Sequence, residues 1–264
     1  MYIDSHSHLS DERMKDKLSE VVFRAQEQGV TEFLQAGVGP QDWESQLNLS
    51  LKYKGILPVF GIHPYFVSDH TDFECQVALD HLGRMAQRAY AIGETGLDFR
   101  PKILKDSRER QIDTFVAQIE IAKFANKPLV LHIVQAFDEA IQIFDTYGLG
   151  HRGGFVHSFN GSDHQAKAYL DLGLSISIGC SITYGQNTRL RQAVSQIPLE
   201  FLLLETDCPD QPPVGIENGN NEPIHLIQVA KIIGEIKKMP TREVLDKCSQ
   251  NTRKLIGYDS ESRI

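Results

Sequence analysis

The sequence predicts an α/β protein, a single-domain (β/α)8 TIM barrel over residues 1–264 with its active site at the C-terminal ends of the strands. Three observations point there. Eight short aliphatic or β-branched runs, at residues 2–6, 32–38, 56–62, 90–94, 128–133, 154–157, 174–178 and 201–205, each leave room for one helix before the next, as a parallel strand needs. Side chains of metal-ligand type end runs one, four, five, six and eight, and a closed barrel brings five such ends to one centre. A doubly wound sheet, the alternative, gathers its functional groups at one switch point and would scatter these. The one long irregular segment, 208–222, is rich in Pro, Gly and Asn and follows the eighth run, where a barrel builds its substrate site.

The bulk numbers suit this. At 264 residues, 41% hydrophobic, the chain can bury one large core. No apolar run approaches the roughly 20 residues of a membrane span. The first run begins at Tyr2 and leaves no room for a removable leader, so a cytoplasmic location is expected. Cys75, Cys180, Cys208 and Cys248 are scattered without a Cys-x-x-Cys pair, which suits buried thiols in a reducing compartment. A formal charge of −8 excludes a broad basic surface, so any nucleic-acid contact must be local.

Taken in order, the first run leads into Ile3-Asp4-Ser5-His6-Ser7-His8-Leu9. Alternate side chains of a strand face one way, so His6 and His8 project side by side, as two ligands of one ion must. A helix follows, because Leu18, Val21, Val22 and Ala25 form an i, i+3, i+4, i+7 stripe that stops at Gly29. The third run ends in Gly-Ile-His63-Pro, which puts His63 on the same rim with a catalytic role open to it. The fourth, Ala-Ile-Gly-Glu94-Thr-Gly-Leu-Asp, sets an acid between glycines. It is either a turn carboxylate or, with small neighbours admitting ions close to the strand, a bridging ligand.

Phe115, Ile119, Ala122 and Ala125 stripe the next helix before Asn126-Lys127-Pro128, and the fifth and sixth runs end in His132 and His157. A histidine on an apolar run is more often a hydrogen-bonded core imidazole, but two at equivalent strand ends favour ligands. The seventh run carries no candidate. The eighth opens into Leu-Leu-Leu-Glu205-Thr-Asp207-Cys-Pro, where a buried carboxylate needs a cation or donors. Glu205 and Asp207, two apart, are expected to point the same way, with Glu205 a supporting base or a substrate contact and Cys208 a small apolar filler. Thr241 opens the last helix, with Pro240 stopping the one before. His70, His81, His151, His164 and His225 sit in loops or polar helical stretches and take no role.

Counting donors gives two sites: His6, His8 and an Asp for one ion, His132 and His157 for the other, with Glu94 between. Mixed imidazole and carboxylate sets accept Mg²⁺, Mn²⁺, Zn²⁺ or Ni²⁺. Such a pair acidifies a shared water and offsets charge on a phosphoryl or carbonyl oxygen, so hydrolysis is the reaction it suits, with Asp207 accepting the proton. No Gly-x-x-x-x-Gly-Lys and no dinucleotide fingerprint suggests another cofactor.

Asp-Ser-His-Ser-His-Leu, Gly-Ile-His-Pro, Ile-Gly-Glu-Thr-Gly-Leu-Asp, Leu-His-Ile, His-Ser-Phe-Asn-Gly and Leu-Leu-Glu-Thr-Asp-Cys-Pro, in this order, resemble the TatD-like metal-dependent hydrolases of the amidohydrolase superfamily. The likeness covers essentially the whole chain, with Asn-Thr-Arg-Lys-Leu-Ile similar to the family's closing segment. Residues 181–184 and 203–207 look most like the YjjV-like subgroup. The resemblance implies a TIM barrel, two divalent metals held by His6, His8, Glu94, His132, His157 and Asp207, and phosphodiester hydrolysis, commonly as a DNase on strand ends.

Two positions depart from the family pattern. Val134 stands where an Arg usually follows the strand-five His, which removes a phosphate contact, and Asn220 stands where a basic residue often precedes Asn-Glu-Pro. Replacement cations are Arg100, Lys102 and Lys105, or Arg189 and Arg191, with solvated surface charge as their alternative reading. The expected activity is therefore a deoxyribonuclease acting on DNA ends or short single strands, with no membrane or protein partner. The alternative is a metal-dependent amide or ester hydrolase such as an aminoacyl-tRNA deacylase, and a barrel that has lost catalysis is disfavoured by the complete ligand set.

Overall fold

The computed structural model describes residues 1–258. Among them eight strands, β1 (Tyr2–Ser7), β2 (Val30–Gln35), β3 (Ile56–Phe60), β4 (Ala91–Asp98), β5 (Leu129–Val134), β6 (Gly154–Val156), β7 (Ser175–Ile178) and β8 (Leu202–Leu204), form one sheet. Spatial order follows chain order and every pairing is parallel. β1 and β8 are tied beyond their C-terminal ends, where the Asp207 N–H donates to His6 O at 2.9 Å and the His8 N–H to Cys208 O at 2.8 Å.

The helices are α1 (Leu18–Glu27), α2 (Pro40–Lys52), α3 (Pro64–Asp69), α4 (Asp72–Met85), α5 (Pro101–Leu104), α6 (Arg108–Ala125), α7 (Phe137–Tyr147), α8 (Asp163–Asp171), α9 (Thr188–Gln196), α10 (Leu226–Lys237) and α11 (Thr241–Ile256). One helix per gap was expected. Two stand before β4 and before β5, because the prolines and cap at Pro64, Thr71 and Pro101 each start a separate helix, while the two after β8 part at Pro240 as expected. The expected stops hold: Gly29 has φ +83° after α1, and Asn126 takes the left-handed conformation after α6.

Strands are buried on both faces, which is why they read as unbroken apolar runs. Outward residues such as Phe33, Ile56 and Ile176 pack under the helices, while Ile3, Leu34, Leu57, Ala91, Val130, Phe155 and Leu203 fill the interior. Ser5 and Ser177 join through their hydroxyls at 2.8 Å, and polar strand ends follow. α11 fastens both edges: Ser249 Oγ accepts from the Ile3 N–H, and the Asn251 amide donates to Leu199 O and Leu202 O.

All eight strands lie within two residues of their expected ends except at two C-terminal ends. β2 stops at Gln35 rather than 38, since the Val38 N–H leaves the ladder to donate to Asp42 Oδ2. β4 runs on to Asp98, with Thr95, Gly96, Leu97 and Asp98 pairing Leu131, His132, Ile133 and Val134. Glu94 thus lies within a strand, not at its end. A Cβ on Gly61 would stand 2.2 Å from the Gly93 carbonyl carbon, so only glycine lets the chain after β3 press against β4 beside Glu94.

Candidate functional site

Glu94 organises the site. Its Oε2 lies 3.3 Å from His6 Nε2 and 3.6 Å from His8 Nε2, and these two nitrogens stand 3.3 Å apart. Asp207 Oδ1 completes that set at 3.6 Å from His6 and 3.3 Å from His8. Glu94 Oε1 faces a second set: His132 Nδ1 at 2.6 Å, His157 Nε2 at 2.8 Å and His63 Nε2 at 3.0 Å. Within it His132 Nδ1 is 3.2 Å from His157 and 3.3 Å from His63. Ligands about 2.1 Å from a common ion stand about 3.0–3.4 Å apart at octahedral or tetrahedral angles. Imidazoles converging at such separations, around one carboxylate, fit divalent cations, and so does the mixed donor chemistry.

The two carboxylates that face the imidazoles are held ionised. Burial alone would raise the Glu94 carboxyl, but the imidazoles of His157, His63 and His6 hold it well below its ordinary value. Asp207 is likewise buried yet held at about 2 by its bond to His8 and by His6 and His157. Burial pushes His6 and His63 down to about 4, toward the neutral form that can ligate.

His63, read as a rim residue, stands among the donors of the second set. Glu205 departs from expectation. β8 ends at Leu204 and Asp207 takes φ +57°, so the alternation that would align the two acids breaks. Asp207 faces the cavity, while Glu205 is fully buried behind it, accepting from the Ser158 N–H and lying 3.8 Å from His157 Nδ1. Glu205 does not line the cavity that Asp207 faces, and it touches a histidine of the second set from behind.

One functional residue escaped the sequence reading. Asp98 Oδ2 lies 3.2 Å from His132 Nε2, fixing which ring nitrogen turns to Glu94, and Asp98 is itself paired with Arg100. Burial would raise its carboxyl, but His132 and Arg100 hold it far below the usual range. The signal was present: Asp98 closes the Glu-Thr-Gly-Leu-Asp motif four residues after Glu94, an even spacing that keeps both on one strand face.

The donors open into a cavity of about 610 Å³, whose walls include Tyr65, Arg100, Ile133, Val134, Ser158 and Gln211. Of the cations considered as replacements for the missing Arg, Arg100 alone lines it. Lys105 pairs with Asp69, while Arg189 and Arg191 donate to the carbonyls of Asn160 and Ile182. Among the described residues no helix is long and apolar enough to cross a membrane.

An eight-stranded parallel barrel with imidazoles and carboxylates gathered at one end is an architecture that suits a metal-dependent hydrolase. The chain belongs to the TatD related DNase family, which it matches over residues 3–257. It is 29% identical over 259 residues to the metal-dependent hydrolase YjjV of Escherichia coli, covering 97% of this chain and 98% of that protein. The crystal structure of YjjV superposes with a TM-score of 0.88 at 28% identity, covering 98% of each chain. The human protein named deoxyribonuclease TATDN3 is 30% identical over 263 residues, covering 96% of this chain and 93% of that one.

Proposed function

We propose that this protein is a two-metal phosphodiesterase that shortens DNA from its ends, preferring short single strands, and that residues 1–264 form one cytoplasmic catalytic domain needing no protein partner. The observation that carries this reading is the division of Glu94: each carboxylate oxygen serves a separate donor set. His6, His8 and Asp207 would hold one ion and His132 and His157 the other, with His63 beside it. Two bound divalent ions, Mg²⁺, Mn²⁺, Zn²⁺ or Ni²⁺, would lower the pKa of a shared water and offset charge developing on the phosphoryl oxygens. Asp207 Oδ2, reached by the Gln211 amide, is the oxygen left to take the proton of the attacking water. Asp98 keeps His132 turned to Glu94. The name of the 30%-identical human relative supports DNA as the substrate.

Ile133 and Val134 favour a second reading, since an apolar wall suits the acyl part of an amide or ester, such as an aminoacyl-tRNA, better than a phosphate. Hydrolysis of an end-labelled single-stranded oligonucleotide by EDTA-stripped protein, reloaded with each metal, separates the two. Metal-dependent loss of terminal nucleotides by wild type and not by Asp207→Asn is the expected result. No cleavage of DNA, with turnover of an aminoacyl ester by the same preparation, would install the second reading.

A further inference from the structure

Most of the cavity wall is neutral or acidic. Asp11 and Asp210 on one rim are bridged by Arg13, which forms forked bonds to both and offsets one of their two charges. Glu94 and Asp207 are turned to the histidines. Among the lining residues Arg100 is the single Lys or Arg. Its place follows from register: Asp98 pairs with Val134 across β4 and β5, and the Phe99 N–H donates to Val134 O at 2.9 Å. Arg100 leaves the strand one residue later and folds back, with Nε and Nη2 on Asp98 and Nη2 also 2.6 Å from the Tyr65 hydroxyl. Nη1 takes no part in these bonds, and the side chain is 41% exposed. A fork held by a carboxylate and a phenol has little rotamer freedom left to lose on binding.

From this geometry we infer that Arg100 is a specificity-determining phosphate anchor: its free Nη1 edge binds the phosphate next along the strand from the one being cleaved, compensating for the apolar side chain at Val134. The inference rests on the phosphodiesterase reading. Arg100 meets the donor cluster only through Asp98 and His132, its own bonds running to Asp98 and Tyr65. A substrate with a single phosphate leaves it idle. One carrying a neighbouring phosphate gains a charge-assisted, directional contact.

The test is binding by the metal-loaded protein of a phosphorothioate-linked dinucleoside, bare or with one terminal phosphate at its 5′ or 3′ end. In wild type, one of the two phosphorylated ligands should bind on the order of tenfold tighter than the bare one. In Arg100→Gln that advantage disappears, over and above any loss the variant shares between bare and phosphorylated ligands through Asp98, and Arg100→Lys recovers part of it. For the favoured ligand, the slope of log affinity against log salt should fall by about 0.7, one contact's worth on a single strand. Retention of the advantage in Arg100→Gln overturns the inference. So does an equal loss for bare and phosphorylated ligands, which would mean that Arg100 acts only by steadying Asp98. Failure to hydrolyse the unmodified dinucleotide, with the Arg100-dependent preference intact, would instead sink the phosphodiesterase reading and leave the anchor standing.

Discussion

Asp98 is where a single atom's role can be read most clearly. Its carboxylate accepts from His132 Nε2, and that bond together with Arg100 keeps it ionised against burial. Asp98→Asn puts an amide there that can donate as well as accept, so the His132 tautomer loosens. Affinity for the metal at the second donor set should fall by about 10–100-fold, with the melting temperature of the metal-free protein little changed. Calorimetric titration with Mn²⁺ reads this, and wild-type affinity in the variant would remove Asp98 from the site. The six donors themselves were legible in the sequence because each ends or follows an apolar run. Asp98 was not singled out, because a carboxylate after a Gly-Leu step looks like any turn acid until its pairing with Val134 is known. Glu205 failed differently: strand alternation was applied across a bend, and the left-handed φ of Asp207 that breaks it has no signature in an Asp-Cys-Pro string.

The elements place these residues through close backbone approach. Gly61 and Gly93 touch where β3's loop meets β4, and an alanine methyl at 61 would overlap the Gly93 carbonyl carbon at 2.2 Å. Gly61→Ala should cost about 1–3 kcal/mol of stability by overpacking and weaken metal binding as well, because Glu94 is next in line. Urea unfolding with parallel metal titration checks both, and wild-type behaviour in each would show that the two segments separate freely. The loop after β8 is held in a similar manner, with the buried Asn221 amide donating to Thr206 O and Asp210 O at 2.7 Å each. Strand and helix order could be read from apolar period and from the stops at Gly29 and Asn126. Strand ends could not, because β4 continues for four residues past Glu94 through a pairing that its own glycines do not announce.

For the molecule as a whole, folding assembles the candidate metal site, since its donors come from five strands, β1, β4, β5, β6 and β8, or the residues just past them, and from the His63 turn after β3. Ions that bind only the folded chain must therefore stabilise it. At a hundredfold excess over Kd each site adds about 2.7 kcal/mol, and EDTA should lower Tm by roughly 5–10 °C per site. An unchanged Tm would mean that no ion is held there. Barrel class and the common centre of the ligands were visible from eight runs and their ends, whereas the extra helices were hidden in spacing alone. The central claim is that Glu94 divides its two oxygens between two ions. Anomalous diffraction from crystals grown with Mn²⁺ tests it most directly. The account predicts two peaks, one among His6, His8 and Asp207 and one beside His132 and His157, each next to a different oxygen of Glu94. A single peak at full occupancy, or two peaks that do not share Glu94, would contradict it.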